Sequence, residues 1–327
     1  MVYENAIIVR LVKLIDSLPE REESVKKGRG RAKKYSEKLM IKALIIMIIR
    51  RLYNAYALLS FLQQDDPVVK ELRNLLEEKG NFPSRRTWER RLAKLSDNLP
   101  DFIGYYGRYL VNLLEVWEEG MEIVSCDSTA LKTGGGVWHK KDRENGHVPH
   151  TTIDLEANWS KSGWHGWWYG WKLHLAISVG TVSIPLAAQL TTANTYDATI
   201  AAELFNQLPS QTRFVLGDKH YNDPELHKHC QNLCRSLITP LPGAYPHSDS
   251  GVGLRRLFHK LRSQSIEPFN ALFKSIFDWR SRLPFKGLLL SKLFALGAIF
   301  LYQLVLLFQF NQNLTLGVGI KPLLRAA

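Results

Sequence analysis

Cysteine and methionine are scarce in this 327-residue chain, at three and four residues, and acidic residues are outnumbered by basic ones, 31 to 43. Three cysteines (Cys126, Cys230 and Cys234) are too few for a disulfide framework, which excludes the small stapled scaffolds of secreted proteins and fits a reducing cytosol. The opening MVYENAIIVRLVKL lacks a basic region followed by a long apolar core and a small-residue cleavage site, so no signal peptide is expected. Internal repeats and sizeable low-complexity tracts are also missing. Long apolar runs are lacking with one exception, Leu293 to Phe310 (LFALGAIFLYQLVLLFQF). A spanning helix needs about 20 apolar residues. This run is marginal in length and carries Gln303 and Gln309, so a buried core helix over 288–312 is expected and no membrane.

What is present is ample core material, 45% hydrophobic residues, with 23% charged and a net charge of +12. The length suits one large domain with a smaller one, or two ordinary ones. An excess of positive charge this large points to a polyanionic partner, nucleic acid or an anionic membrane surface.

The first 118 residues read as helical. Residues 36–52 open on a serine cap and end in arginines. Residues 54–64 and 68–79 read as two further helices, the second stopped by Gly80. FPSRRTWERRLAKL, 82–95, is a short basic helix capped by Ser84. It sets Arg85, Arg86, Arg90 and Arg91 opposite Trp88, Leu92 and Leu95. Such a helix after a turn, over 67–95, is compatible with a helix-turn-helix DNA reader and equally with a solvated basic face. Upstream, the basic stretch 24–34 contains KKGRGRAKK, a linker pattern that often touches phosphate.

From 119 onward the pattern turns to strands: 122–127, 171–178, 184–190, 213–216 and 236–241. Helices read at 197–208, 224–234 and about 253–278. Three strands that could form a meander, then alternating helices and strands, make an α/β layer with a mixed five-stranded sheet.

Three carboxylates stand out. Asp127 ends the first strand, Asp218 ends the fourth, and Glu267 lies in the late helix. Carboxylates at the ends of neighbouring strands converge at one sheet edge, where α/β folds bind ligands. Three clustered acids would repel one another and DNA alike; a hard cation such as Mg2+, with Mn2+ as substitute, reverses that sign. Two ions roughly 3.5–4 Å apart suit in-line phosphoryl displacement.

Five stretches, in order, carry a resemblance: CDSTAL (126–131), GWKLHLAIS (170–178), LTTANTYDA (190–198), VLGDKHYND (215–223) and IEPFNALFK (266–274). Together they resemble the DDE transposases of bacterial insertion sequences. The resemblance spans about half the chain, Met121 to roughly Gly287. It implies a ribonuclease H-like catalytic domain over 119–327 and metal-dependent cleavage at transposon ends with transfer into target DNA. It also implies a helical end-recognition region over 1–118, a homodimer in a synaptic complex, and work in the cytoplasm on the nucleoid. The catalytic and metal-binding acids carry over to Asp127, Asp218 and Glu267. Two departures stand in the glutamate signature: Ser263 and Lys260 occupy the family's arginine and tyrosine places, and Arg262 lies one position off. Lys274, seven residues after the glutamate, is present, and His220 stands where the family usually has glycine. The alternatives are a nuclease or resolvase of the same fold without strand transfer, and an inactive DNA-binding relic.

Other residues invite chemistry. Residues 134–170 form an insertion rich in Trp and His. Trp164, Trp167 and Trp168, between glycines, read as a mobile exposed loop whose rings could stack on unpaired bases, or else as part of a small aromatic core. Lys172, Arg262, Lys274 and the arginines Arg280 and Arg282 are candidate phosphate contacts. Asp223 precedes a helix and reads as its cap, with Pro224 at the first helical position; Asp197 sits where its helix begins and reads as a cap, while the resemblance makes it a secondary site candidate. HKHCQNLC (227–234) places His227, Cys230 and Cys234 on one helical face; it lacks the spacing of a structural zinc site and reads as a helix with buried cysteines.

Overall fold

The computed structural model describes residues 6–21, 34–163, 166–240 and 249–327. In chain order its elements are α1 (Ile7–Ser17), α2 (Glu37–Arg50), α3 (Ala55–Phe61), α4 (Pro67–Asn74), α5 (Arg85–Leu113), β1 (Ile123–Lys132), α6 (Lys140–Glu144), β2 (Asn158–Ser162), β3 (Gly166–Val179), β4 (Pro185–Thr192), α7 (Asp197–Gln207), β5 (Phe214–Leu216), α8 (Pro224–Asn232), β6 (Ser236–Ile238), α9 (Asp249–Ile276), α10 (Leu288–Asn311) and α11 (Ile320–Ala326). A single 3-10 turn, Lys219–Tyr221, follows β5. Two units result: residues 1–99 with 300–327, and residues 100–299.

The first unit is helical throughout. Ser36 caps α2, its Oγ accepting from the Leu39 N–H at 3.0 Å, and Asp66 caps α4 the same way, with Pro67 at the first helical position. Ile8, Leu11, Val12 and Ile15 recur at three- and four-residue spacing, so α1 buries one stripe, packing on α2, α4 and α11. α4 stops at Asn74, earlier than the glycine signal suggested; Gly80, at φ +69, serves instead a turn closed between Glu78 and Asn81. α5 starts where expected, with the Ser84 Oγ accepting from Thr87 N–H at 3.3 Å, but runs 29 residues through Pro100. Of the basic stretch 24–34 only Lys34 is among the described residues.

α10 is long and apolar enough to cross a bilayer by length and composition. Its side chains from Leu293 to Phe308 are nevertheless buried in protein, as expected of a core helix. The awkward amide of Gln309 is satisfied within the first unit, where Nε2 donates to Val318 O (2.7 Å) and Oε1 accepts from Gly317 N–H (2.8 Å).

The second unit carries the sheet. All five expected strands are present, in spatial order β4-β3-β1-β5-β6, and β1 pairs antiparallel with β3 but parallel with β5. This is the ribonuclease H-like mixed sheet with flanking helices. A sixth strand, β2, comes from the Trp/His-rich insertion and pairs with the first residues of β3, making 158–170 a hairpin. α9 packs on β1, β3 and β5. Phe258 and Leu261 of that helix meet Ile123, Phe214 and Leu216. Its far end is held by an aromatic chain: Phe273 lies 5.8 Å from Trp279, Trp279 5.8 Å from Phe285, and Phe285 5.1 Å from Phe294, centroid to centroid.

Candidate active site

Strand register decides where the first two acids stand. β1 and β5 run parallel with Ser125 opposite Leu216, so Asp127 and Asp218, each two residues further, stand at the same level. Asp218 lies just past the end of β5, whereas β1 continues to Lys132 along β3, so Asp127 is mid-strand, opposite Leu175, and not at the strand end as expected. The chain has to turn immediately after β5, and it does so against Tyr221. A Cβ on Gly217 would lie 2.7 Å from the Tyr221 Cβ, which only glycine avoids. Asp218 then caps the following 3-10 turn, its Oδ1 accepting from His220 N–H at 2.8 Å, while Asp127 Oδ1 accepts from Ser128 N–H at 2.8 Å. The third acid arrives on α9. Glu267, Asn270 and Lys274 are spaced three and four apart, so they share one helical face. All of them, with Asp127 and Asp218, line a single cleft of about 1460 Å³.

Burial pushes the Asp127 carboxyl up to about 7; Asp218 and Asp197 push the same way, and Arg262 and the Ser128 N–H oppose them. Burial, more than the neighbouring acids, holds this carboxyl up. Lys274 is pushed below the usual lysine range, chiefly by burial, with Asp127 pulling it back. Arg262 supplies the cation closest to the acids: its Nη2 donates to Glu267 Oε1 at 3.0 Å and its Nη1 lies 3.8 Å from Asp127 Oδ2. Among the described residues no three His, Cys, Asp or Glu side chains already stand close enough to enclose an ion. The donors facing the cleft are nonetheless hard carboxylate oxygens, a set that fits Mg2+-type cations rather than soft metals.

Residues 118–302 match the family described as transposase DDE domain. The chain belongs to this family. Its members are enzymes that cleave DNA, transfer its strands and generally use divalent metal ions. Among solved structures the transposase resembles a piggyBac transposase synaptic complex with hairpin DNA, at 11% identity over 99% of this chain and 77% of that one, TM-score 0.43. It also resembles a pre-cleavage Mos1 transpososome (12% identity, 90% and 84% covered, TM-score 0.21) and the Mos1 mariner paired end complex with Mn (14%, 91% and 84%, 0.21). These likenesses are distant; the assignment rests on the matched domain. A search of curated proteins finds no match.

The remaining expected residues of the transposase fall in different places. Lys172 lines the cleft but is tethered, its Nζ donating to Thr195 O (2.8 Å) and to Asp197 Oδ1 (3.3 Å). Asp197 therefore corrects the capping expectation. It is the first residue inside α7, whose N-cap Tyr196 makes no side-chain cap bond, and its carboxylate faces Lys172 and, at 3.3 Å, the Nδ1 of His174. Asp223, by contrast, caps α8 as expected, accepting from Leu226 N–H at 3.0 Å.

The Trp loop is also corrected: residues 166–170 are strand, not a mobile loop. Strand alternation sends neighbouring rings to opposite faces. Trp167 is 66% exposed, with the Lys161 ammonium 5.7 Å from its ring centroid, whereas Trp168 is 4% exposed. Trp164 lies outside the described residues. Trp138 and Trp159 spend their indole N–H groups inside the insertion, on His147 O (2.9 Å) and Trp138 O (3.1 Å), as a small aromatic core does.

Arg85, Arg86 and Arg90 are exposed on α5 in the first unit, Arg85 pairing with Glu89 at 2.8 Å. Arg91 turns inward to Tyr35 O at 3.0 Å. In the zinc-like stretch His227 meets Asn222 and His229 meets Asn206, Cys230 is buried and Cys234 exposed. Two cleft-side residues escaped the sequence reading. His174 follows Lys172 by two along β3 and so faces the same side, a signal that strand alternation offered. Asn270, buried with its Oδ1 lacking a partner, falls on the Glu267–Lys274 helical face.

Proposed function

We propose that Asp127, Asp218 and Glu267 are the catalytic acids of this transposase and hold Mg2+, with Mn2+ able to substitute. The shared level of Asp127 within β1 and Asp218 just past β5, lining one cleft with Glu267 of α9, is the observation that carries the reading. When bound, such an ion supplies Lewis acidity toward a phosphate oxygen and acidifies water. The chain's own groups do the rest. A water attacks phosphorus at the transposon end and the 3′-oxygen leaves, taking up a proton; the freed 3′-hydroxyl then attacks a target-DNA phosphorus, losing its proton as the P–O bond to the target strand's own 3′-oxygen breaks. The unpaired Oδ1 of Asn270 offers the attacking O–H an acceptor. Lys274, poor in solvent and beside Asp127, offers the phosphate a cation. Lys172 reaches phosphate only by leaving Asp197.

Arg85, Arg86 and Arg90 would contact the backbone of end DNA from the α4–turn–α5 segment, in the manner of a helix-turn-helix. Trp167, with Lys161 beside it, would stack on an unpaired base. Paired ends imply a homodimer working on the nucleoid in the cytoplasm.

The test is cleavage of end DNA by Asp127→Asn, Asp218→Asn and Glu267→Gln. Each substitution is expected to lower the single-turnover rate at least about 100-fold, the loss typical of removing one preorganised charge-stabilising group, while DNA affinity holds. Undiminished cleavage in any of the three removes that residue from the site.

A further inference from the structure

Arg262 was expected, from its place near the glutamate signature, to meet DNA phosphate. In the structure it meets the acids instead. Its side chain is 16% exposed, and one guanidinium spans Asp127 on β1 and Glu267 on α9, 3.8 and 3.0 Å away. Its Nε is buried without a partner, so the group is held by two carboxylates yet incompletely satisfied. Arginine suits such a position: it keeps its charge at any relevant pH, is weakly hydrated, and presents several donors in a planar fork. Without a cation between them, two carboxylates brought this close in a partly buried cleft repel each other. A divalent ion needs the same oxygens and would be repelled by a guanidinium left in place.

We infer that Arg262 is an internal counter-ion of the metal-free transposase. It holds Asp127 and Glu267 in position, competes with the divalent ion for their oxygens, and is released when the ion enters. Released, it becomes the phosphate contact that its place in the sequence suggests. DNA gives Arg262 another anion to bind, so DNA arrival and ion loading support each other, as linkage between two ligands requires. An ion approaching the free enzyme finds the site competent only in the fraction of molecules whose arginine has swung away, and its apparent affinity falls by that fraction. This inference rests on the reading that Asp127 and Glu267 hold the ion.

The experiment measures Mn2+ binding through the electron paramagnetic resonance signal of free Mn2+, on the full chain, with and without end DNA. Arg262→Gln and Arg262→Met remove the charge, Arg262→Lys keeps it, and Asp127→Asn removes a ligand. The comparison uses whichever neutral variant melts cooperatively. A neutral variant is expected to bind Mn2+ about tenfold more tightly than the natural protein without DNA, as for a site freed from a roughly 10% competent population. Adding DNA is expected to tighten binding in the natural protein and much less in that variant, with the lysine variant closer to the natural one. Equal or weaker binding by the neutral variants, while Asp127→Asn abolishes binding, overturns the counter-ion role and leaves the catalytic assignment standing. Equal binding by Asp127→Asn and the natural protein overturns both.

Discussion

At Gly217 the chain passes too close to Tyr221 for any side chain, and the next residue is Asp218. A methyl group there would force either the Tyr221 ring, fully buried, or the strand end to shift. Gly217→Ala is therefore expected to cost about 1–3 kcal/mol, as overpacking typically does, and to misplace Asp218. Thermal melting should show the loss and end cleavage should fall with it; an unchanged melting temperature with full activity would mean the contact relaxes freely. Single residues also show what the sequence can and cannot tell. Asp223 and Asp197 look alike on paper, each an acid at the start of a helix. Asp223 caps because its partner, the Leu226 N–H, is local. Asp197 does not, because Lys172 and His174 come from a strand about 25 residues earlier, and no local pattern reveals them. The ion pair of Arg262 was hidden for the same reason: its partner Asp127 lies on a different element.

Among elements, the most instructive is the β2–β3 hairpin. Glycines flanking the tryptophans suggested a loose loop, yet Gly166 (φ +61) shapes the turn into β3 and the strand continues through Gly170. The two faces of that strand then carry different physics. Trp168→Ala is expected to cost about 3–5 kcal/mol, the usual loss for a buried aromatic. Trp167→Ala, on the exposed side, should change stability by no more than about 0.5 kcal/mol. If Trp167 stacks on a base, its removal should instead weaken binding to ends with unpaired bases, read by 2-aminopurine fluorescence at the cleavage site. Equal binding by Trp167→Ala and the natural protein would make the ring a surface residue only. α5 teaches a related lesson. The expected basic helix ended at Leu95, yet α5 runs on through Pro100, which lacks an N–H, because Leu92, Leu95, Leu99, Ile103, Tyr106 and Leu110 keep the helical spacing across it and are buried. Periodicity outweighed the local breaker.

For the whole molecule, the five strands of a mixed sheet and the buried character of α10 were legible because each depends on pattern over many residues. β1 pairs parallel with β5, a pairing that brings together residues 91 positions apart. What was not legible was the charge pairing inside the cleft: that Lys172 meets Asp197 and that Arg262 spans Asp127 and Glu267. The central claim is that the acid trio, brought to one cleft, is built to hold a divalent ion. The most direct measurement is anomalous diffraction at the manganese edge from crystals of the transposase with end DNA and Mn2+. The account predicts a peak about 2.0–2.2 Å from carboxylate oxygens of Asp127 and Asp218, with the Arg262 guanidinium moved off Asp127. A bound Mn2+ peak away from both aspartates, with Arg262 still bridging Asp127 and Glu267, would contradict it.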